Sequence, residues 1–194
     1  MGEIFSTARA YHGIRARSSI VDWHEVVWNA KRIPKHAFST WLALRGAHKT
    51  ENKLMDAGVV HSVECAFHYG ETKTVEHIFF QCPYSANVWR EVLDMCNIAK
   101  PILPWVDEVL WISIHAKGNA FQHTLRKLAF AATTDHLWIE RNRRCFKNHF
   151  LPYQEIIRMV RRDVSWKLSS GNNSYRCEQH HSLCVNWGIS LGEQ

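Results

Sequence analysis

Cys65-Ala66-Phe67-His68-Tyr69-Gly70-Glu71-Thr72-Lys73-Thr74-Val75-Glu76-His77-Ile78-Phe79-Phe80-Gln81-Cys82-Pro83 is the stretch on which the reading of this chain turns. It holds a Cys-x2-His pair and a His-x4-Cys pair, soft sulfur and nitrogen donors separated by a short polar segment. Structural zinc takes four such donors in a closed tetrahedron. Tyr69-Gly70-Glu71 supplies a turn that brings the pairs together, and Ile78-Phe79-Phe80 supplies apolar side chains to pack beneath a metal. A closed centre folds a module and leaves no open position for chemistry. The expected ligand set is therefore Cys65, His68, His77 and Cys82 around one Zn2+. The plain alternative is that the cysteines are small buried hydrophobes, and thirteen histidines make chance pairings common.

Val75-Glu76-His77-Ile78-Phe79-Phe80-Gln81-Cys82-Pro83 closely resembles the zinc-binding domain that follows the polymerase in plant LINE-type (non-LTR) retrotransposon reverse transcriptases. Upstream, Phe5-Ser6-Thr7-Ala8-Arg9-Ala10-Tyr11 resembles that family's opening Phe-Ser…Ala-Tyr. Val27-Trp28, Ile33-Pro34-Lys35-His36-Ala37-Phe38 and Trp41-Leu42 resemble its Trp…Pro-Lys…Phe…Trp-Leu block. Downstream, His136-Leu137-Trp138-Ile139-Glu140-Arg141-Asn142-Arg143-Arg144-Cys145-Phe146 resembles its Trp-x-Glu-Arg-Asn-x-Arg-x-Phe segment. The resemblance covers roughly residues 3 to 147, with His77–Pro83 its most specific part. It implies zinc. The family has Cys-x2-Cys at the first pair, where this chain has His68. Imidazole is itself a zinc ligand, so the site is either a Cys2His2 centre or a decayed one.

Composition bounds the remaining classes. At 194 residues, 46% hydrophobic and 22% charged, with nine tryptophans, the chain has enough apolar surface for a substantial core. No run approaches the roughly 20 apolar residues of a membrane span. Met1-Gly2-Glu3-Ile4-Phe5 lacks the basic-then-apolar pattern of a secretory signal. Six irregularly spaced cysteines suit a reducing compartment better than a disulfide framework. The expected location is nuclear or cytoplasmic, not secreted, and Cys96 and Cys145 are expected as core thiols.

Charge is unevenly spread. Residues 1–140 carry 15 basic and 14 acidic side chains, whereas residues 141–167 carry eight basic against two acidic. In the last predicted helix Ile156, Ile157, Val160 and Val164 share one face at a period near 3.6, opposite Arg158, Arg161 and Arg162. Together with Arg141, Arg143 and Arg144 these are candidate phosphate contacts, which would make binding to RNA or DNA salt-dependent. The alternative is a solvated helix face.

The expected fold class is mainly α: a small helical domain with a zinc-stabilised Cys/His loop, then a helical C-terminal region. Residues 1–99 form the zinc-binding unit, 104–168 a helical region with a basic face, and 169–194 a poorly ordered tail. Ser6 is read as capping a first helix, Thr50 one through Leu54 and Met55, and Ser85 one through Val88, Trp89, Val92 and Leu93. Val59–Cys65 reads as extended, and Pro34 starts a helix through Phe38, Trp41 and Leu42. Lys100-Pro101-Ile102-Leu103-Pro104 is the clearest break. Helices follow over Trp105–His115, Phe121–Lys147 and Tyr153–Leu168.

Two further motifs carry little. Gly188-Ile189-Ser190-Leu191-Gly192 matches a nucleophile elbow, but the acid and histidine partners that should follow it are missing. Cys177, His180, His181 and Cys184 are four donors in eight residues, too compact to wrap a supported tetrahedron. Polymerase chemistry needs carboxylates for two metal ions, and the Tyr-x-Asp-Asp signature is absent, so no enzymatic activity is expected. Two functions remain: a nucleic-acid-binding module, with Phe67 or Tyr69 stacking on bases while Phe79 and Phe80 pack inside, or a non-catalytic interaction or structural remnant, without metal, that once docked on a reverse transcriptase core.

Overall fold

The computed structural model describes residues 19–48, 65–67, 77–170 and 180–189. Among these residues the chain is mainly α and has no strand. The helices are α1 (His24–Val27), α2 (Pro34–Leu44), α3 (Pro83–Met95), α4 (Trp105–His115), α5 (Phe121–Lys147), α6 (Tyr153–Ser169) and α7 (His181–Trp187), with a tight turn, His77–Gln81, leading into α3. The helices expected from Ser6 and Thr50, and all of the extended Val59–Cys65 segment but Cys65, lie outside the described residues.

Prolines set four of the helix starts, Pro104 from the position preceding α4. Pro34 and Pro83 occupy the first turn of α2 and α3 behind extended Ile33 (φ −87°, ψ 116°) and Cys82 (φ −66°, ψ 136°). Proline disfavours the α region for the residue before it, and at the first helical position its missing N–H costs nothing. Pro152 does the same from the position preceding α6. Ser85 thus lies within the first turn of α3 rather than capping it. At the C-terminal ends of α5 and α7 the chain turns through left-handed Asn148 (φ 47°) and Gly188 (φ 63°), the residue types that tolerate this conformation.

α5 organises the rest. Its 27 residues span about 40 Å, and from Leu125 to Leu137 nearly every side chain is buried. A helix enclosed on all sides is the axis of a bundle rather than its skin. The small residues Ala129, Ala131, Ala132, Thr133 and Thr134 let its neighbours approach closely, and both threonine hydroxyls bond back to carbonyls four residues earlier. α2, α4 and α6 pack on α5, and α3 joins it to α6.

The core is one continuous cluster from Val26 to Ile189. At its centre the rings of Phe79, Phe80, Trp89, Trp105 and Phe130 lie 4.9–5.9 Å apart in the contacting pairs. These rings come from the turn and from α3, α4 and α5. The break at residues 100–104 is therefore a bend in the chain, not a gap in the packing. Buried Glu108 straps that bend by accepting from Lys100 Nζ at 2.6 Å and from Leu103 N–H at 2.9 Å.

Within the expected poorly ordered tail, residues 169–194, His181–Trp187 form a helix, while residues 171–179 and 190–194 lie outside the described residues. α7 buries Leu183, Cys184 and Trp187 against the core. Asn186 Nδ2 donates to Met95 O and Asn97 Oδ1, and Asn97 Nδ2 donates to Ser182 Oγ. The Ser- and Asn-rich stretch before it obscured a seven-residue helix whose apolar side is defined only by what it packs on.

Candidate metal centre

The His77–Gln81 turn is built against the grain of its own backbone. Phe80 adopts φ 81°, ψ −20°, a left-handed conformation that costs a bulky residue of order 1–3 kcal/mol. The surrounding contacts hold it there. Its ring is buried in the aromatic core, worth about 1.5–3 kcal/mol. Its N–H donates to Ser85 Oγ at 3.1 Å, while the Ser85 hydroxyl donates to Cys82 O at 3.0 Å. Cys82 N–H closes the turn on His77 O at 2.8 Å.

This turn delivers His77 and Cys82 to the same point as Cys65. Cys65 Sγ lies 3.8 Å from Cys82 Sγ and 3.1 Å from His77 Nε2. All three residues are buried, and their donor atoms fall within 4.8 Å of one another. Phe67 N–H points at Cys65 Sγ at 3.4 Å, an orientation that favours a thiolate. His68, the fourth expected ligand, lies outside the described residues.

The spacing can be tested against a metal. Zn–S bonds of about 2.3 Å and Zn–N bonds of about 2.0–2.1 Å in a tetrahedron place two sulfurs about 3.8 Å apart and sulfur about 3.6 Å from nitrogen. The sulfur pair already has the required separation, and the histidine must withdraw by about half an ångström. The residues fit zinc. The hydrogen bond shared with Cys65, together with burial, pushes the Cys82 thiol well above its usual range. A divalent cation at this point reverses that bias, because coordinated thiols are deprotonated.

Phe67 is corrected as a base-stacking residue. It is only 2% exposed, its ring stacks on Tyr84 at 4.6 Å, and the Arg144 guanidinium covers both rings. Tyr69 lies outside the described residues. Phe79 and Phe80 pack inside, and Cys96 is a core thiol, whereas Cys145 is only partly buried.

The six candidate arginines separate into two groups. Arg141 is 1% exposed and lies on the inner side of α5, its guanidinium over the Trp138 ring at 5.0 Å. Such a side chain does not reach a phosphate, so Arg141 leaves the surface set. Arg143 and Arg144 turn to buried Glu140, at 2.8 and 2.7 Å, and Arg144 also donates to Leu151 O. Along α6, by contrast, Arg158, Arg161 and Arg162 are exposed. Arg158 meets Glu155 and Arg162 meets Asp163 only at the surface, and Arg161 reaches Val185 O at 3.4 Å.

A second cluster has no counterpart in the sequence reading. His36 on α2, Asp135 and His136 on α5 and Asp163 on α6 converge between the helices. His136 Nε2–H donates to Asp163 Oδ2 at 2.8 Å. His36 Nε2 lies 3.4 Å from Asp163 Oδ2 and 3.5 Å from Asp135 Oδ2. Lys35 Nζ is 3.0 Å from Asp135 Oδ2. Burial holds both imidazoles below their usual pKa, outweighing the nearby carboxylates. Burial would raise the Asp163 carboxyl, but hydrogen bonds from His136 and Arg162 outweigh it and keep it below the usual value. His36 and His136 belong to two separately noted blocks, and no local spacing links positions so far apart. In the C-terminal set, His180 stacks on Phe121 and Cys184 is buried, while Cys177 lies outside the described residues.

Residues 5–89 match the protein family described as zinc-binding in reverse transcriptase. The matched stretch includes Cys65, His68, His77 and Cys82 and ends within α3. Over it the chain is similar to a reverse-transcriptase zinc-binding domain. No characterised protein and no solved structure matches the chain.

Proposed function

We propose that this protein is a zinc-stabilised, non-catalytic, nucleic-acid-associated module derived from a plant LINE-type (non-LTR) retrotransposon reverse transcriptase. The observation that carries the reading is the meeting of Cys65, His77 and Cys82 inside the stretch similar to reverse-transcriptase zinc-binding domains. Cys65, His77 and Cys82, with His68 as the fourth, would hold Zn2+. The ion would supply a crosslink that folds the loop, its binding energy becoming folding energy. The α6 residues Arg158, Arg161 and Arg162 are the phosphate contacts in this reading. The accompanying location is nuclear or cytoplasmic, where thiolate ligands stay reduced.

Binding to single-stranded RNA, titrated with salt, tests the nucleic-acid part. Replacing Arg158, Arg161 and Arg162 together by Gln is expected to flatten the log–log salt slope by about 2, at roughly 0.7 per lost phosphate contact. An unchanged slope, or no binding by the folded wild type, overturns it. A second reading has its own observation. Val106, Leu110 and Ile114 form an exposed apolar row on α4, each at least half exposed, which favours docking on another protein such as a reverse transcriptase core. Failure to bind RNA or DNA at low salt, with self-association abolished by Leu110→Glu, would favour that reading.

A further inference from the structure

We propose that His36, Asp135, His136 and Asp163 form a second metal site, one that takes a first-row divalent transition ion such as zinc. It is separate in space and in donor chemistry from the Cys65–Cys82 centre, and it requires nothing of that centre.

Three donors from three helices face one another here, with the Asp135 carboxylate beside them. The ligand atoms of His36, His136 and Asp163 all lie within 4.8 Å of one another, and the Asp135 carboxylate joins His36 at 3.5 Å. Metal bonds of about 2.0–2.2 Å to nitrogen and oxygen place tetrahedral ligands about 3.4 Å apart. The His36–Asp163 and His36–Asp135 separations of 3.4 and 3.5 Å already have that value. His136 and Asp163, at 2.8 Å, must part, as they do when His136 takes the neutral tautomer with its proton on Nδ1, and the Asp135 carboxylate must draw in to serve as the fourth ligand.

The site also contains groups that the protein alone serves poorly. His36 has a side chain only 4% exposed. Its Nε2 stands beyond hydrogen-bond length from both carboxylates, as a ligand does around a shared ion. Two aspartates in a largely buried setting carry two negative charges. The nearest cations are Lys35, with a side chain 64% exposed, and surface Arg162. A divalent ion neutralises both carboxylates from within. Neutral imidazole is the form that offers a lone pair to a metal, and burial favours it at both histidines. Two imidazoles with two carboxylates select zinc and its neighbours over magnesium or calcium, which prefer all-oxygen shells. With Asp135 drawn in as the fourth donor the site would be closed, and its role is to fasten α2 to α5 and α6.

The test is metal content and cobalt(II) spectra of the full chain, for wild type, Cys82→Ala, His36→Gln and Asp163→Asn. The wild type is expected to hold about two equivalents. His36→Gln and Asp163→Asn should each lose about one and keep the thiolate-to-cobalt charge-transfer band. Cys82→Ala should lose that band and keep a spectrum of nitrogen and oxygen ligands. Metal bound by wild type without the thiolate band would support this site while refuting the Cys65–Cys82 centre. Metal content unaffected by folded Asp163→Asn, with far-ultraviolet dichroism as the check of folding, overturns the proposal.

Discussion

Replacing Glu140 by Gln should be among the most damaging single changes of nearly constant volume in this protein. The carboxylate is fully buried and accepts three hydrogen bonds: from Arg143 Nη1 at 2.8 Å, Arg144 Nε at 2.7 Å and Leu151 N–H at 2.9 Å. Gln retains one carbonyl acceptor and turns an NH2 group towards a guanidinium, setting donor against donor. Arg143 can recover water, because its side chain is 25% exposed. Arg144 cannot readily do so at 9%, since its guanidinium is laid over Tyr84 at 4.4 Å and Phe67 at 5.1 Å. Breaking a buried ion pair by removing one partner costs about 3–5 kcal/mol, a large part of the roughly 5–15 kcal/mol that stabilises a typical domain. For a chain of this size that corresponds to a drop in Tm of about 6–20 °C. Denaturant unfolding measures the loss, and a double-mutant cycle with Arg144→Met apportions it, with a coupling of about 1–3 kcal/mol expected. A loss under about 1 kcal/mol for Glu140→Gln, with no coupling to Arg144, would refute the reasoning.

Three other outcomes follow from particular side chains. Burial lowers the pKa of His48 to about 4 from 6.5 although its ring N–H donates to Ser39 O at 3.0 Å; its ring also stacks on Trp138. The unfolded chain therefore takes up this proton first as pH falls, so the stabilisation is complete above pH 6.5 and is lost down to about pH 4. Comparing wild type with His48→Phe across that window should isolate about 3 kcal/mol of pH-dependent stability, and parallel curves would contradict it. Ser85→Ala strands the N–H of strained Phe80 and should cost about 1–3 kcal/mol and weaken zinc binding about tenfold in a chelator competition; unchanged values for both would show that the turn holds itself. Trp187→Ala should cost about 3–5 kcal/mol in denaturant unfolding, and a loss under about 1 kcal/mol would mean that α7 is not part of the folded core.

Backbone rules made much of the fold legible in advance. Pro34 marks a helix start and Pro152 a helix boundary whatever surrounds them, α4 and α5 run where their apolar spacing and flanking breaks place them, and α3 starts at Pro83 rather than after the expected Ser85 cap. The pairing of His77 with Cys82 was readable because the donors and their apolar filling lie within a few residues, whereas the left-handed turn at Phe80 that joins them was not. What escaped depends on tertiary contact. Arg141 and Arg158 look equally exposed as letters; one is enclosed by its neighbours and the other is not. Phe67 reads as an available ring until Tyr84 and Arg144 cover it. α7 is too short for its periodicity to separate it from a polar tail. The convergence of His36, His136 and Asp163 is created wholly by the packing of α2, α5 and α6.

The zinc content of purified wild type and of Cys82→Ala, each measured with its unfolding curve, bears most directly on the central claim. The account predicts that the variant holds about one zinc fewer per chain and is markedly less stable. Equal zinc in the two proteins, with equal stability, would mean that Cys65, His77 and Cys82 meet as a packed thiol cluster and not as a metal centre.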